Sequence, residues 1–286
     1  MQDIDWHDLR FVLAVAREGA LAGAARRLGV NETTVARRLA RLEGRLGARL
    51  FERGQSRLTS TAAGQAAVDG AERIELQIQA LADRVAGSDR LAAGTVRVTS
   101  VPVLVNRLLI PALPGLLARH PQLRVELIAE PRDLSLTKRE ADVALRLARP
   151  RKDSRAIARR IGQLAYGVYG PAGGDAGALP WVTYEDAMAE LPQARWMAAR
   201  PGQPAPLLVN DAEGVLQAVA AGLGKSLLPI SIADPLPGLT RLDAGAAPLT
   251  RELWRIVHPE LRDLTRIRVV LDWLDGLAGQ LAEAES

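Results

Sequence analysis

The 286-residue chain contains no cysteine, which excludes disulfides, thiol nucleophiles, iron–sulfur clusters and cysteine-ligated zinc. Its three histidines, His7, His120 and His258, stand far apart and in no ligand-like spacing, so neither a metal nor a cofactor is predicted. Aromatic residues amount to 3 %, too few for a surface that stacks bases. No uninterrupted apolar run reaches bilayer-spanning length, and the acidic start Met1-Gln2-Asp3-Ile4-Asp5-Trp6 lacks the basic and apolar segments of a signal peptide. The expectation is a cytoplasmic protein with no membrane partner.

What is present is a globular balance of 48 % hydrophobic and 24 % charged residues, in a chain long enough for two or three units. The charge is unevenly spread. Residues 1 to 64 carry eleven arginines against seven carboxylates, a net of +4, while the remainder holds 26 basic and 26 acidic residues and is neutral. One end is therefore built to meet a polyanion and the other is not.

Helical periodicity underlies that charge. Leu9, Val12, Leu13 and Ala16 recur at helical spacing between Asp5, a suitable N-cap, and Gly19, a suitable terminator. A short helix follows from about Leu21 to Leu28, its Ala22, Ala24 and Ala25 permitting close packing. Gly29-Val30-Asn31 reads as a turn, with Asn31 the N-cap of a third helix, about 32 to 46. There Val35, Leu39, Leu42 and Leu46 form one stripe. At about 100° per residue, Thr33, Arg37, Ala40 and Gly44 point away from it, flanked by Thr34, Arg38, Arg41 and Arg45. A small, hydroxylated, cationic face suits a DNA major groove, because arginine bonds guanine edges bidentately and threonine meets thymine methyls or phosphates. The segment from Leu50 to Thr59 reads as two short strands around a polar turn, a wing that lays Arg53 and Arg57 beside the backbone.

The stretch LAGAARRLGVNETTVARRLARLEGRLGARLFER, followed by RLTSTAAG, closely resembles the N-terminal winged helix-turn-helix of LysR-type transcriptional regulators. By position, Ala24, Ala25 and Leu28 match the first motif helix, and Val35 and Arg37 the recognition helix. Leu42-Glu43, Leu46-Gly47 and Leu50-Phe51-Glu52-Arg53 match the block that follows, and Leu58-Thr59 with Ala63-Gly64 the wing exit. Asn31, Glu32, Thr33 and Ala36 depart from the residues frequent in the family, so no operator sequence is carried over. The predicted DNA-contacting set is Asn31, Thr33, Thr34, Arg37, Arg38, Arg41, Arg53 and Arg57.

A helix is predicted from Thr59-Ser60-Thr61 to about Val85, ended by Gly87-Ser88-Asp89. Ala67, Ala71, Ile74, Ile78, Leu81 and Val85 make a heptad seam, which asks either for a second copy or for the chain's own downstream domain. The resemblance favours the second copy and implies a homodimer, with a homotetramer usual for the family and RNA polymerase a further partner.

From Gly94 strands alternate with helices, the signature of an α/β sheet. Strand candidates are Thr95 to Ser100, Arg124 to Ile128, Asp142 to Leu147, Leu164 to Tyr169, Leu207 to Asn210, Ser226 to Leu228 and Leu253 to Val257. Helices are predicted over 102 to 119 and about Ala212 to Ala221, and loops near 170 to 180 and 200 to 206. TVRVTS, EADVALRL, GLGKSLLP and ELWRIVHPELRDLTRIRVVLDWL resemble the family's effector domain, whose two α/β lobes are built like periplasmic solute-binding proteins. The resemblance implies a winged helix-turn-helix at 1–60, a linker helix at 61–90 and an effector domain at 91–286. Its first lobe would be about 91–160 with 264–286, and its second about 161–263. Ligands bind such sheets at strand carboxyl ends and between lobes. Ser100, Val101 and Val103, beside a helix start suited to an anion, with Arg146 and Lys225 as cations, form the predicted effector pocket.

The function expected is a DNA-binding transcriptional regulator of operator duplexes, modulated by a small-molecule effector for which an anion fits those cations. The α/β region alone would also suit an enzyme, but the chain has no G-x-S-x-G elbow, phosphate-binding loop or metal motif, so no catalysis is predicted. A transport receptor is disfavoured by the N-terminal motif, and a regulator that needs no effector stays open.

Overall fold

In the computed structural model, which describes residues 4–54, 57–85, 92–130, 141–150, 156–174, 177–200, 206–243, 245 and 247–284, the chain forms two units, Met1–Gly87 and Ser88–Ser286. The predicted helix stop at Gly87-Ser88-Asp89 and the wing-turn residues Gln55 and Ser56 lie outside the described residues.

The first unit contains α1 (Trp6–Glu18), α2 (Leu21–Leu28), α3 (Glu32–Leu46), β1 (Phe51–Arg53), β2 (Leu58–Ser60) and α4 (Ala62–Val85). Its local logic is largely that of caps and stripes. The Asp5 carboxylate accepts from the His7 amide at 2.9 Å, and α1 ends at Gly19, whose φ of 67° few other residues adopt without strain. Asn31 occupies the N-cap position of α3 with extended backbone, but its side chain makes no capping bond. Val12, Val15, Ala24, Val35, Leu42 and Ala71 lose all exposure in the shared core, each larger aliphatic contributing about 1.5–3 kcal/mol of burial. At the start of α4, Thr61 Oγ1 accepts from the Gly64 amide at 3.0 Å and donates to the Arg49 carbonyl at 2.7 Å. Gly64 lies so close to the wing that a Cβ there would sit 1.8 Å from the Leu50 carbonyl oxygen.

The second unit is an α/β domain on a seven-stranded mixed sheet with β3 (Gly94–Ser100), β4 (Leu123–Ala129), β5 (Val143–Arg146), β6 (Ile157–Pro171), β9 (Ser226–Pro229), β10 (Leu239–Arg241) and β11 (Leu249–Val257). The strand order is β10-β6-β11-β5-β3-β4, with β9 also on β6. A separate parallel pair joins β7 (Thr183–Tyr184) to β8 (Leu208–Val209). β3 is parallel to both β4 and β5, making the first lobe, whereas β9 and β10 run antiparallel to the far end of β6 in the second. β6 and β11 belong to both lobes. Trp254 to Val257 pairs with β5 and with the start of β6, Leu249 to Leu253 pairs with residues 162–166, and the register shifts between Leu253 and Trp254. Such a bulge bends a strand, and here it marks the passage from one lobe to the other.

The helix Pro102–Arg119 begins as α5 (Pro102–Leu104), passes through a π-turn at Val105–Leu109 and continues as α6 (Ile110–Arg119). By length and composition it could cross a membrane, although it carries Asn106 and Arg107. Its place in the fold is the crossover between the adjacent parallel strands β3 and β4. Further helices among the described residues are α7 (Pro192–Ala198), α8 (Ala212–Ala220), the single turn α9 (Ile230–Ala233) and α10 (Thr265–Ala284), with a 3-10 turn at Asp186–Met188. Ile267, Val270, Leu274, Leu277 and Leu281 line the buried face of α10, which packs on β6 and β3.

Candidate nucleic-acid interface and ligand cleft

Because Val35, Leu39 and Leu42 are buried, the opposite face of α3 must face outward, and Thr33, Arg37, Ala40, Arg41 and Gly44 are all exposed. Asn31 and Glu32 are exposed at its start, and Thr34 is half-buried. Among the described residues no carboxylate pairs with Arg37 or Arg41, so both guanidinium groups remain available to a phosphate or a base edge.

Arg38 and Arg45 share a carboxylate of α1. The Arg38 guanidinium donates to Oδ1 of Asp8 at 3.0 Å, while Arg45 donates to Oδ2 at 3.1 Å. The Asp8 side chain is only 2 % exposed. A buried carboxylate needs cationic partners, and Arg38 supplies one through one guanidinium nitrogen while its side chain stays 34 % exposed, with the guanidinium also 5.9 Å from the centre of the Phe11 ring.

The wing is held by side chains that the charge pattern does not identify. Glu43, at the end of α3, accepts from the amides of Leu50 at 2.7 Å and Phe51 at 3.3 Å. β1 and β2 then pair Phe51 with Ser60 and Arg53 with Leu58, and the Leu58 amide donates to the Gly19 carbonyl at 2.8 Å. Arg53 and Arg57 are exposed. The Arg57 guanidinium lies against Gly19, where a Cβ would meet its Nε at 2.5 Å. There it faces the negative end of α1.

The seam on α4 divides. Ala71 has no exposure and Ala67 is partly buried, and both pack against the core of the same unit. Ile74, Ile78 and Leu81 are exposed by 37 %, 42 % and 55 %. The Val85 side chain lies outside the described residues. Arg17 on α1 bridges to Glu75 at 2.8 Å and ties α4 to the first helix.

The predicted effector residues fare unequally. Ser100 is fully buried, its hydroxyl donating to the Leu145 carbonyl at 2.9 Å and its own carbonyl accepting from the Glu130 amide, and Val103 is fully buried as well. Both side chains pack inside the first lobe at the carboxyl end of β3. Arg146 is 6 % exposed and donates to Thr99 Oγ1 and the Leu145 carbonyl, each at 3.2 Å. Val101 and Lys225 are partly exposed, the Lys225 ammonium lying 4.9 Å from the centre of the Trp181 ring.

A different pair joins the lobes. Arg107, in the π-turn, donates through Nε to both carboxylate oxygens of Glu213 at 3.0 and 3.2 Å, and through Nη2 to Oε1 at 2.5 Å. Glu213 opens α8, whose N-cap, Asp211, accepts from the Glu213 and Gly214 amides at 2.8 and 3.0 Å. A cleft of about 330 Å³ elsewhere on the first lobe is lined by Arg159, Arg255, Arg262 and Arg268, with none of the predicted effector residues. Three of those arginines already pair with Asp275 or Asp263.

Residues 6–65 match the model of bacterial regulatory helix-turn-helix proteins of the lysR family, and residues 89–278 match the LysR substrate binding domain. The Mau operon transcriptional activator of Paracoccus denitrificans is 31 % identical over 271 residues, covering 94 % of this chain and 95 % of its own. Among solved structures, ArgP from Mycobacterium tuberculosis has a TM-score of 0.71 at 21 % identity, over 98 % of this chain and 99 % of that one. Full-length LysG from Corynebacterium glutamicum, with bound effector Arg, has a TM-score of 0.66 at 20 % identity, over 97 % and 99 %. With an exposed cationic recognition helix, a wing and a two-lobed α/β domain in one chain, the protein belongs to the LysR family of DNA-binding transcriptional regulators.

Proposed function

We propose that this regulator reads operator DNA through Asn31, Thr33, Thr34, Arg37 and Arg41, with Arg53 and Arg57 of the wing against the backbone, and that a small molecule between its lobes shifts the DNA-bound oligomer. The observation that carries the reading is the outward face of α3, where Thr33, Arg37, Ala40, Arg41 and Gly44 offer hydroxyl, cations and clearance together. Two such helices on paired half-sites gain affinity through effective concentration. The exposed Ile74, Ile78 and Leu81 supply the apolar surface for a homodimer. A further pairing of dimers gives the tetramer.

The effector acts by binding one arrangement of the lobes more tightly than another, since only differential affinity biases an equilibrium. Val101, Lys225 and the Arg107–Glu213 pair are the groups nearest to that role, and an anion suits Arg107 and Lys225. The test uses a duplex selected by the purified protein from a random pool, with a shuffled duplex beside it. Arg37→Ala is expected to lose the preference between them, while Arg53→Ala weakens both evenly. Two variants that bind both duplexes like the parent would reverse the assignment of the groove face.

A further inference from the structure

We propose that Asp8 is a positioning residue for base reading: its carboxylate clamps Arg38 and Arg45, so that α3 is presented to DNA at one fixed rotation, and neither arginine serves the phosphate backbone. This rests on α3 being the base-reading helix. Asp8 stands in the first turn of α1, next to Leu9 and on the same face as Phe11, Val12 and Val15, all buried. A carboxylate in that stripe has no access to water. Each of its oxygens accepts from a different arginine of α3, at 3.0 and 3.1 Å. The arginines are seven residues apart, about two helical turns, so the two side chains lie on one side of α3 and converge on the one carboxylate.

Each attachment lies off the axis of α3 and so opposes its rotation, and two of them on one buried carboxylate oppose it more strongly than either alone. The apolar stripe Val35, Leu39 and Leu42 fixes the depth of α3 but tolerates small rolls, because dispersion forces carry little direction. The charge-assisted bonds to Asp8 are directional. Arg37 and Arg41 flank Arg38 in sequence and face outward. A roll of α3 would therefore move them against the base edges without exposing the core. The cationic flank thus has two jobs, with Arg38 and Arg45 setting the angle and Arg37 and Arg41 using it.

The test separates positioning from backbone binding with two measurements on the full-length protein. One is the ratio of affinities for a duplex selected from a random pool and its shuffled counterpart. The other is the slope of log affinity against log salt on the shuffled duplex, whose magnitude drops by about 0.9 for every phosphate that the protein ceases to neutralise. Asp8→Asn keeps the shape of the side chain but sets an amide donor against a guanidinium. It should lower the affinity ratio about tenfold without lowering the slope. Arg38→Gln should likewise lower the ratio at unchanged slope, and Arg38→Lys should restore most of it.

A drop of nearly one such increment in Arg38→Gln, at an unchanged ratio, would make Arg38 a phosphate ligand and overturn the proposal. So would an Asp8→Asn protein, folded by circular dichroism, with the parent's ratio. If Asp8→Asn does not fold, Arg38→Gln decides, because Arg45 still satisfies Asp8 there. A parent that selects no sequence contradicts the base-reading role of α3 itself, and the salt slopes still show whether Arg38 touches phosphate.

Discussion

Replacing Glu213 with glutamine should loosen the two lobes by an amount that the structure allows to be worked out. The Arg107 guanidinium meets Glu213 through three bonds of 2.5 to 3.2 Å, and Gln217 Nε2 adds a fourth at 3.0 Å. Hydrogen bonds to charged partners contribute about 1.5–3 kcal/mol net. The side chains keep 27 % and 15 % exposure, so solvent screening places the pair toward the lower end, ~1.5–2 kcal/mol. That is a factor of about ten to thirty in the equilibrium between closed and open lobes. Because the chain has no cysteine, spin labels can be attached at Arg119→Cys on the first lobe and Ala221→Cys on the second without background. With labelled chains diluted into unlabelled ones, Glu213→Gln should show a second, longer distance, Arg107→Gln should show the same, and the swap Arg107→Glu with Glu213→Arg should recover the parent distribution. Superimposable distributions in all four proteins would refute the reasoning, because the pair would then hold nothing that the sheet does not already hold.

Three further outcomes are expected. Ile78→Asp places a charge in the exposed apolar stripe of α4 and should convert the oligomer to a smaller species in sedimentation velocity, whereas an unchanged mass would remove that stripe from the interface. Gly64→Ala drives a methyl into the Leu50 carbonyl, a backbone atom that cannot rotate away; a loss at or above the ~1–3 kcal/mol of ordinary overpacking is expected by calorimetry. A stability within experimental error of the parent would show that α4 shifts freely at its start. The Tyr169 phenol is held protonated well above its usual range by burial and by its 2.5 Å bond to Asp234, and burial does the same to Tyr184. Their contribution to stability is therefore complete below the unfolded value of 10.0 and is lost as pH rises beyond it. Denaturant melts at rising alkaline pH should show this loss reduced in Tyr169→Phe, and an identical pH dependence would contradict it.

How far the residues alone reveal these features differs by region. The three N-terminal helices are legible because each apolar stripe is closed by its own punctuation, with Asp5 and Gly19 bracketing α1. The outward face of α3 follows from the same arithmetic. A helical wheel places Arg38 about 60° from Arg41 and nearer the apolar stripe, but it cannot show which cations are claimed from behind. The signal is a carboxylate on the apolar stripe of α1, a position that demands a partner without naming it. Ser100 and Val103 are ambiguous in sequence for a related reason. The end of a buried parallel strand has the same composition whether it opens on a cleft or on the core.

β6 extends over 15 residues, although only Leu164 to Tyr169 reads as a strand. Its first half carries Arg159, Arg160, Gly162 and Gln163, which suit a strand with one face in water but break the apolar signal. β11 hides Leu249 to Glu252 in the same way. The link between Arg107 and Glu213 joins residues 106 positions apart and leaves no trace in local pattern.

Paired copies of α3 are expected to read the duplex through Arg37 and its neighbours. Hydroxyl-radical footprinting of the parent and of Arg37→Ala on a duplex selected from a random pool tests it most directly. Two protected patches about one helical turn apart are predicted on one face of the parent-bound duplex, both absent in the variant at equal occupancy. A single patch, or protection spread evenly along the duplex and unchanged by the substitution, would contradict it.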